Sequence, residues 1–282
     1  MSIKVILMDV DGTLADSSKK ITPETKTALL QAQDAGILLV LASGRTDNGL
    51  KYFADELNMK EHHGLLICNN GATVVDYQTG EILFSQALSV EEGKEVLEHL
   101  KKFDVCPVVA RGEYMYVNNV FNNTIERNGK PWNVLEYESR GNNYKLCEID
   151  DLAKWCDFEI SKILTYANPS YLQEHYEEMK APFGDRINSM FTAPYYYEFT
   201  AKGVDKSKAI RKAIEISGFT ADEMIAFGDA QNDKTMIEYA GIGVAMGNAT
   251  DELKAAADYI TDDMDHDGIA KALYHFFPEI YK

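Results

Sequence analysis

The sequence predicts an α/β fold: a core built on a parallel sheet, with a second α/β domain inserted into it. Three observations carry this. Short apolar runs of strand length, rich in β-branched residues, alternate with helical stretches. Three of these runs end in polar clusters, as the strands of a parallel sheet do where they deliver groups to one rim. The alternation breaks off at about Phe84 and resumes after Tyr195-Tyr196-Tyr197-Glu198-Phe199-Thr200.

Ile3 to Met8 (IKVILM) is the first strand, apolar as expected of a strand buried on both faces, and it stops at Asp9. Thr22-Pro23 supplies an N-cap and a first-turn proline for a helix that ends at Gly36. Ile37 to Ala42 (ILLVLA) is the second strand; it runs into Ser43-Gly44-Arg45, and a helix covers Asn48 to Leu57. Leu65 to Cys68 is the third strand, and Asn69-Asn70-Gly71 has the turn chemistry to fold Ala72 to Asp76 back as a hairpin. The segment from Phe84 to Phe191 holds both tryptophans and mixes helical stretches such as Val90 to Lys102 with short alternating strands such as Tyr114 to Val117. It reads as the inserted domain, which leaves 1–83 and 192–282 for the core. In the returning half, a helix over Lys206 to Ser217 closes at Gly218, and Met224 to Phe227 is a strand running into Gly228-Asp229. Asp233 to Tyr239 is helical, Gly243 to Met246 extended, and Asp251 to Ala257 helical, with acids in its first turn where the dipole favours them.

A chain of 282 residues has room for roughly two domains of about 150 residues. Apolar residues at 45% and charged residues at 26% are the ordinary globular mix, which excludes a disordered or fibrous chain. The net charge of −17 gives a field that repels phosphate backbones and acidic membrane surfaces. Nucleic acid and membranes are therefore not expected partners, and an anionic substrate has to be drawn in by local cations or a metal. Cys68, Cys106, Cys147 and Cys156 form no CxxC pair and read as reduced thiols. The first apolar run meets Asp9 too early for a signal peptide, and no window reaches the ~18 to 20 apolar residues of a membrane span. A soluble cytoplasmic protein is expected.

Chemistry concentrates at the strand ends. Asp9 and Asp11 stand two apart, so in extended backbone their side chains would project the same way. Two adjacent carboxylates repel, and the pair is stable if a divalent cation holds one as the anion while the other is free to carry a proton; Asp229 adds an oxygen from another strand. Magnesium suits that set, because it prefers a few carboxylates, several waters and substrate phosphate oxygens. Lys206 opens a helix that can bring its ammonium to the same rim. A calcium loop starting at Asp9 would need Glu at its twelfth position and finds Lys20; one starting at Asp263 finds Tyr274, so that acidic segment reads as a helix start. His62-His63 and the other histidines show no metal-ligand spacing, and Trp132, Trp155, Tyr114 and Tyr116 read as core. Asn248-Ala249-Thr250 is formally a glycosylation sequon, without meaning in the cytoplasm.

Four segments, in order, resemble the haloacid dehalogenase superfamily of phosphohydrolases, specifically its Cof-type sugar-phosphatase-like branch. Asp9 to Thr13 (DVDGT) is similar to the first motif, Ser43 to Arg45 (SGR) to the second, Gly203 to Ser207 (GVDKS) to the third and Gly228 to Asp233 (GDAQND) to the fourth, and Asn69 to Ala72 (NNGA) also resembles that branch. Two departures are mild: Asp205-Lys206-Ser207 where Ser-Lys-Gly is more usual, and Gln231 where Glu often occurs.

The resemblance implies a Rossmann-like core with a large α/β cap that closes over the rim and sets specificity. It implies a Mg²⁺-dependent phosphatase in which Asp9 is the nucleophile and Asp11 the acid and base. Mg²⁺ would be held by Asp9, the backbone carbonyl of Asp11, and Asp229. Lys206, Ser43, Gly44, Val10 and Asn232 would bind the phosphate, and Asp233 would orient Lys206 or a metal-bound water. The expected partner is a small phosphorylated metabolite. Two alternatives remain open: a phosphomutase with the same intermediate, and a sugar-phosphate-binding regulator without turnover.

Overall fold

The computed structural model describes residues 3–127 and 129–281 and contains two compact units, 1–85 with 205–282 and 86–204. In chain order the first unit begins with β1 (Val5–Met8), α1 (Pro23–Asp34), β2 (Leu38–Ala42), α2 (Asp47–Glu56), β3 (Leu65–Cys68), β4 (Thr73–Asp76) and β5 (Ile82–Ser85). The second unit holds α3 (Val90–Leu100), β6 (Cys106–Arg111), β7 (Tyr114–Val117), β8 (Thr124–Arg127), β9 (Lys130–Asn133), α4 (Val134–Gly141), β10 (Lys145–Glu148), α5 (Leu152–Trp155), β11 (Ile163–Tyr166), α6 (Pro169–Lys180), β12 (Ile187–Ala193) and β13 (Tyr196–Ala201). The first unit then resumes with α7 (Lys206–Ser217), β14 (Met224–Gly228), α8 (Lys234–Tyr239), β15 (Ile242–Ala245), α9 (Asp251–Ala256), β16 (Tyr259–Ile260) and α10 (Gly268–Phe276).

The sheet of the first unit runs β16-β15-β14-β1-β2-β3-β4-β5, parallel as far as β3, after which β4 and β5 turn back antiparallel. β1 lies at its centre, Val5 beside Leu38 on one flank and Met224 on the other. All four residues of β1 are buried, because successive side chains point to opposite faces and helices cover both. Ile6 and Met8 join a core with Leu29 of α1, Phe53 of α2 and Leu273 of α10. Val5 and Leu7 join another with Ile210 and Ile214 of α7 and Ile237 of α8. The hairpin expected at Asn69-Asn70-Gly71 forms, with Cys68 paired to Thr73. Among the described residues, no helix is long and apolar enough to cross a membrane.

The second unit is built on a six-stranded sheet, β10-β7-β6-β11-β13-β12, with β8 and β9 forming a separate hairpin. A capping box of Ser89 and Glu92 starts α3, whose Val96 and Leu97 pack with Leu172 of α6 on one core. A second core sets Val134 and Leu135 of α4 against Val108, Met115 and Tyr166. Trp132, Trp155 and Tyr116 pack against these cores, as expected, whereas Tyr114 is exposed.

The limits of this unit differ from the 84–191 read from sequence. Ile82–Ser85 is the last strand of the first sheet, so the second unit starts at Gln86. Residues 192–204, expected in the core, belong to the second unit through β13, which pairs antiparallel with both β11 and β12. An apolar strand carries its own period but no mark of which sheet it will join, and that long-range pairing decides the boundary.

Gly71 has φ +99°, and a Cβ there would overlap the backbone carbonyl of Asp205, just ahead of α7. Gly80 has φ +72° with open space around it. Gly80→Ala should cost about 1 kcal/mol, the strain of a left-handed alanine alone. Gly71→Ala should cost about 2 to 4 kcal/mol, because backbone must also move. Urea unfolding of the two variants checks this, and equal losses would contradict the crowding at Asp205.

Candidate active site

The parallel strands β1, β2 and β14 end on the same edge, and the polar clusters that follow them supply the site. The amide of Asp9 donates to the carbonyl of Phe227 at 3.0 Å, extending the β1–β14 ladder by one residue and fixing the buried Asp9 at the strand end. Asp205 caps α7 by accepting from the Lys208 amide, which sets Lys206 in the first helical turn. Lys206 is 3% exposed, and its ammonium donates to Asp9 Oδ1 at 2.6 Å and to Asp233 Oδ1 at 2.7 Å. The other oxygen of Asp233 accepts from the amides of Asp229 and Ala230, both at 3.1 Å, so one buried carboxylate orients the lysine and shapes the turn after β14. Asp229 Oδ1 accepts from the Thr13 hydroxyl at 3.0 Å. Gly12, at φ +92°, presses against that same carboxylate, which a Cβ would overlap.

The carboxylates of Asp9, Asp229 and Asp233 each offer an oxygen, and these atoms lie within 4.8 Å of one another. One ammonium faces three acids, so the group carries surplus negative charge. Burial pushes Asp9 up to about 7 against the pull of Lys206. Burial likewise raises Asp229 to about 6 against the Thr13 hydrogen bond. Burial alone would lower Lys206, but Asp9 and Asp233 outweigh it and hold the ammonium charged. An all-oxygen set with excess negative charge fits a hard divalent cation.

Asp11 has a different environment. β1 ends at Met8 and Asp11 forms an isolated bridge with Ala15, and its carboxylate is gripped by other cations than the one on Asp9. Arg45 donates Nε to Oδ2 at 2.7 Å and Nη2 to Oδ1 at 2.8 Å, and Lys19 donates to Oδ1 at 2.9 Å. Burial opposes ionisation, but these donors hold Asp11 down to about 2. Asp9 and Asp11 thus meet different cations. Asp233, expected to orient Lys206 or a metal-bound water, binds the Lys206 ammonium and is also the third member of the carboxylate cluster, to which Asp11 adds no carboxylate.

Ser43 is buried at the end of β2, its hydroxyl accepting from the Arg45 amide at 3.2 Å. Gly44 packs on Asn70, whose Nδ2 would be 3.1 Å from a Cβ there. The amides of Asn69 and Asn70 donate to the carbonyls of Arg45 and Ser43, joining the β3–β4 turn to this loop. Val10 is fully buried and its carbonyl accepts from Thr13 and Ala15; Asn232 is exposed on the turn after β14. Arg45 and Thr13 lie inside the motifs but have no role assigned by them, and Lys19 lies outside every motif. A charged or hydroxylic residue inside a site motif was the available signal for the first two. Lys19 reaches Asp11 from a tight turn at φ 63° organised by the Asp16 carboxylate, which no motif marks.

Because its folded value lies above the ordinary 3.8, Asp229 favours the folded protein at low pH, and that contribution is lost as pH rises through about 6. In EDTA, the unfolding midpoint of Asp229→Asn relative to the parent should therefore rise between about pH 4 and pH 7. A difference independent of pH would contradict the raised carboxyl.

A sequence profile of the haloacid dehalogenase-like hydrolases matches residues 6–273. A haloacid dehalogenase-like hydrolase from Bacteroides thetaiotaomicron has a TM-score of 0.90 and 31% identity, covering 98% of this chain and 100% of its own. The HAD subclass IIB sugar phosphatase BT4131 has a TM-score of 0.76 and 27% identity, with 97% of this chain and 98% of its own covered. The 5-amino-6-(5-phospho-D-ribitylamino)uracil phosphatase YcsE of Bacillus subtilis (strain 168) is 29% identical over 276 residues, 98% of this chain and 96% of its own length. The match runs through both compact units, so the likeness carried by four short motifs holds for the whole chain: it belongs to the haloacid dehalogenase-like hydrolases, on their Cof-type branch, and is a phosphoric monoester hydrolase.

Proposed function

We propose that the chain is a Mg²⁺-dependent phosphatase of small phosphate monoesters, sugar or polyol phosphates foremost, acting through an aspartyl-phosphate on Asp9. The observation that carries this reading is the buried Lys206 ammonium on Asp9 at the end of the central strand, with Asp229 and Asp233 beside it. Relatives that act on a sugar phosphate and on a phosphorylated ribityl compound support the substrate class.

Asp9 attacks phosphorus in line; the new bond joins its carboxylate to phosphorus while the bond to the substrate's ester oxygen breaks. Asp11 gives a proton to the departing oxygen, so a neutral alcohol leaves, then takes a proton from the water that hydrolyses the acyl phosphate. Inorganic phosphate and the free Asp9 carboxylate result. Arg45 and Lys19 hold Asp11 as the base; its acid form requires these cations to be drawn elsewhere, and a phosphate dianion is a group that competes for them. Lys206 offsets charge on Asp9 and the phosphoryl oxygens, and Ser43, the Gly44 amide, the Val10 amide and Asn232 supply donors to those oxygens. Asp9, Asp229 and the Asp11 backbone carbonyl are the residues that would hold magnesium, with Asp233 fixing Lys206 beside them. When bound, the ion neutralises charge so that one anion can approach another. Recognition of the organic part of the substrate is assigned to residues 86–204, the cap of the family resemblance.

With Mg²⁺, the protein should release inorganic phosphate from p-nitrophenyl phosphate and from sugar phosphates, and EDTA should stop it. Asp9→Asn should abolish turnover with the circular dichroism spectrum unchanged, and Asp11→Asn should lose about 10² to 10⁴ in rate. Parental turnover by Asp9→Asn would falsify the covalent route. An isomeric sugar phosphate without free phosphate would mark a mutase instead.

A further inference from the structure

Asn248 lies outside the four motifs, on the exposed turn between β15 and α9. Its side-chain amide is nonetheless committed at both ends: Nδ2 donates to the carbonyl of Gly12 at 2.8 Å, and Oδ1 accepts from the amide of Met264 at 3.1 Å. The short helical turn Met264–His266 reaches the same loop a second time, Asp265 Oδ1 accepting from the Ser17 amide at 2.8 Å. Asp263 stiffens that turn by accepting from the Asp265 amide at 3.0 Å and the His266 ring at 2.7 Å. The acidic segment that imitates a calcium loop thus holds the loop after β1 directly through Asp265 and indirectly through the Met264 amide on Asn248.

That loop carries the chemistry. Gly12 joins Asp11 to Thr13, and Thr13 donates to Asp229. Its left-handed backbone is open to several orientations in a glycine, so the direction of the Gly12 carbonyl is not set by the residue itself. A donor aimed at that carbonyl removes the freedom. The neighbouring turn is tied to the other side of the site, since the Thr250 amide donates to the Asp229 carbonyl at 3.0 Å. Asn248 therefore stands between the Gly12–Thr13 peptide, one residue on from Asp11, and the loop that holds Asp229.

We infer that Asn248 is a positioning residue: by fixing the Gly12–Thr13 peptide, and with it the turn that carries Asp11, it aims Asp11 at the leaving oxygen of the ester. The inference rests on the reading of Asp11 as the proton donor. It makes the loss on substitution depend on the leaving group. An alkyl ester needs a proton on the departing oxygen, whereas p-nitrophenolate leaves without one, so misaimed acid harms the first far more than the second.

The test compares kcat/KM for a sugar phosphate and for p-nitrophenyl phosphate, with Mg²⁺, in the parent, Asn248→Ala and Asn248→Asp. The alanine variant removes both bonds; the aspartate variant keeps an acceptor for Met264 and loses the donor to Gly12. Both should lose about tenfold or more on the sugar phosphate and less than about threefold on the aryl ester, with little change in Tm. Equal losses on the two esters, no loss on either, or unfolding of both variants would make Asn248 a structural residue and overturn the inference. A parent enzyme inactive on both esters would instead overturn the phosphatase reading, so the two failures are distinct.

Discussion

The buried ammonium of Lys206 is the interaction on which the site depends. Taking a lysine to 3% exposure is unfavourable unless carboxylates meet it, and Asp9 and Asp233 do so from the segments that follow two different strands. Removing one partner of such a group typically costs about 3 to 5 kcal/mol, because the other charge stays buried and uncompensated. Asp233 also holds the amides of Asp229 and Ala230, so the group that orients the lysine also folds the turn after β14. Gly228 belongs to the same constraint, since a Cβ there would stand 2.5 Å from the Asp233 Cβ.

A second consequence is electrostatic. Two aspartates two residues apart sit in opposed environments: burial raises Asp9 to about 7, and Arg45 with Lys19 lowers Asp11 to about 2. In the proposed reaction a divalent cation has to offset the burial of Asp9 for it to attack as an anion, and Arg45 and Lys19 have to be drawn from Asp11 for it to carry a proton. In a chain of net charge −17, the cations Lys19, Arg45 and Lys206 gathered on acids at one edge of the sheet are what a phosphate would meet.

Much of this was legible beforehand. The buried strand β1 within Ile3 to Met8, the first-turn position of Lys206 and the end of α7 at Gly218 follow from local period and capping, which neighbouring residues settle between themselves. The partners of Asp11 were not legible, because Arg45 and Lys19 reach it through one loop after β2 and one left-handed turn, and neither geometry is implied by residue spacing. Asn248 looked like a sequon for the same reason: its role lies in bonds to Gly12 and Met264.

By itself the sequence determined most strands and helices of the first unit, where the acids and the lysine fall along them, and the family to which their order belongs. Those properties are local, or are fixed by order along the chain. The tertiary structure decided which sheet receives residues 196–201, which cation each aspartate meets, and that Asp233 rather than Asp11 joins Asp9 and Asp229. These are contacts between residues far apart in sequence, chosen by pairing and burial after the elements have formed, and no local pattern encodes them.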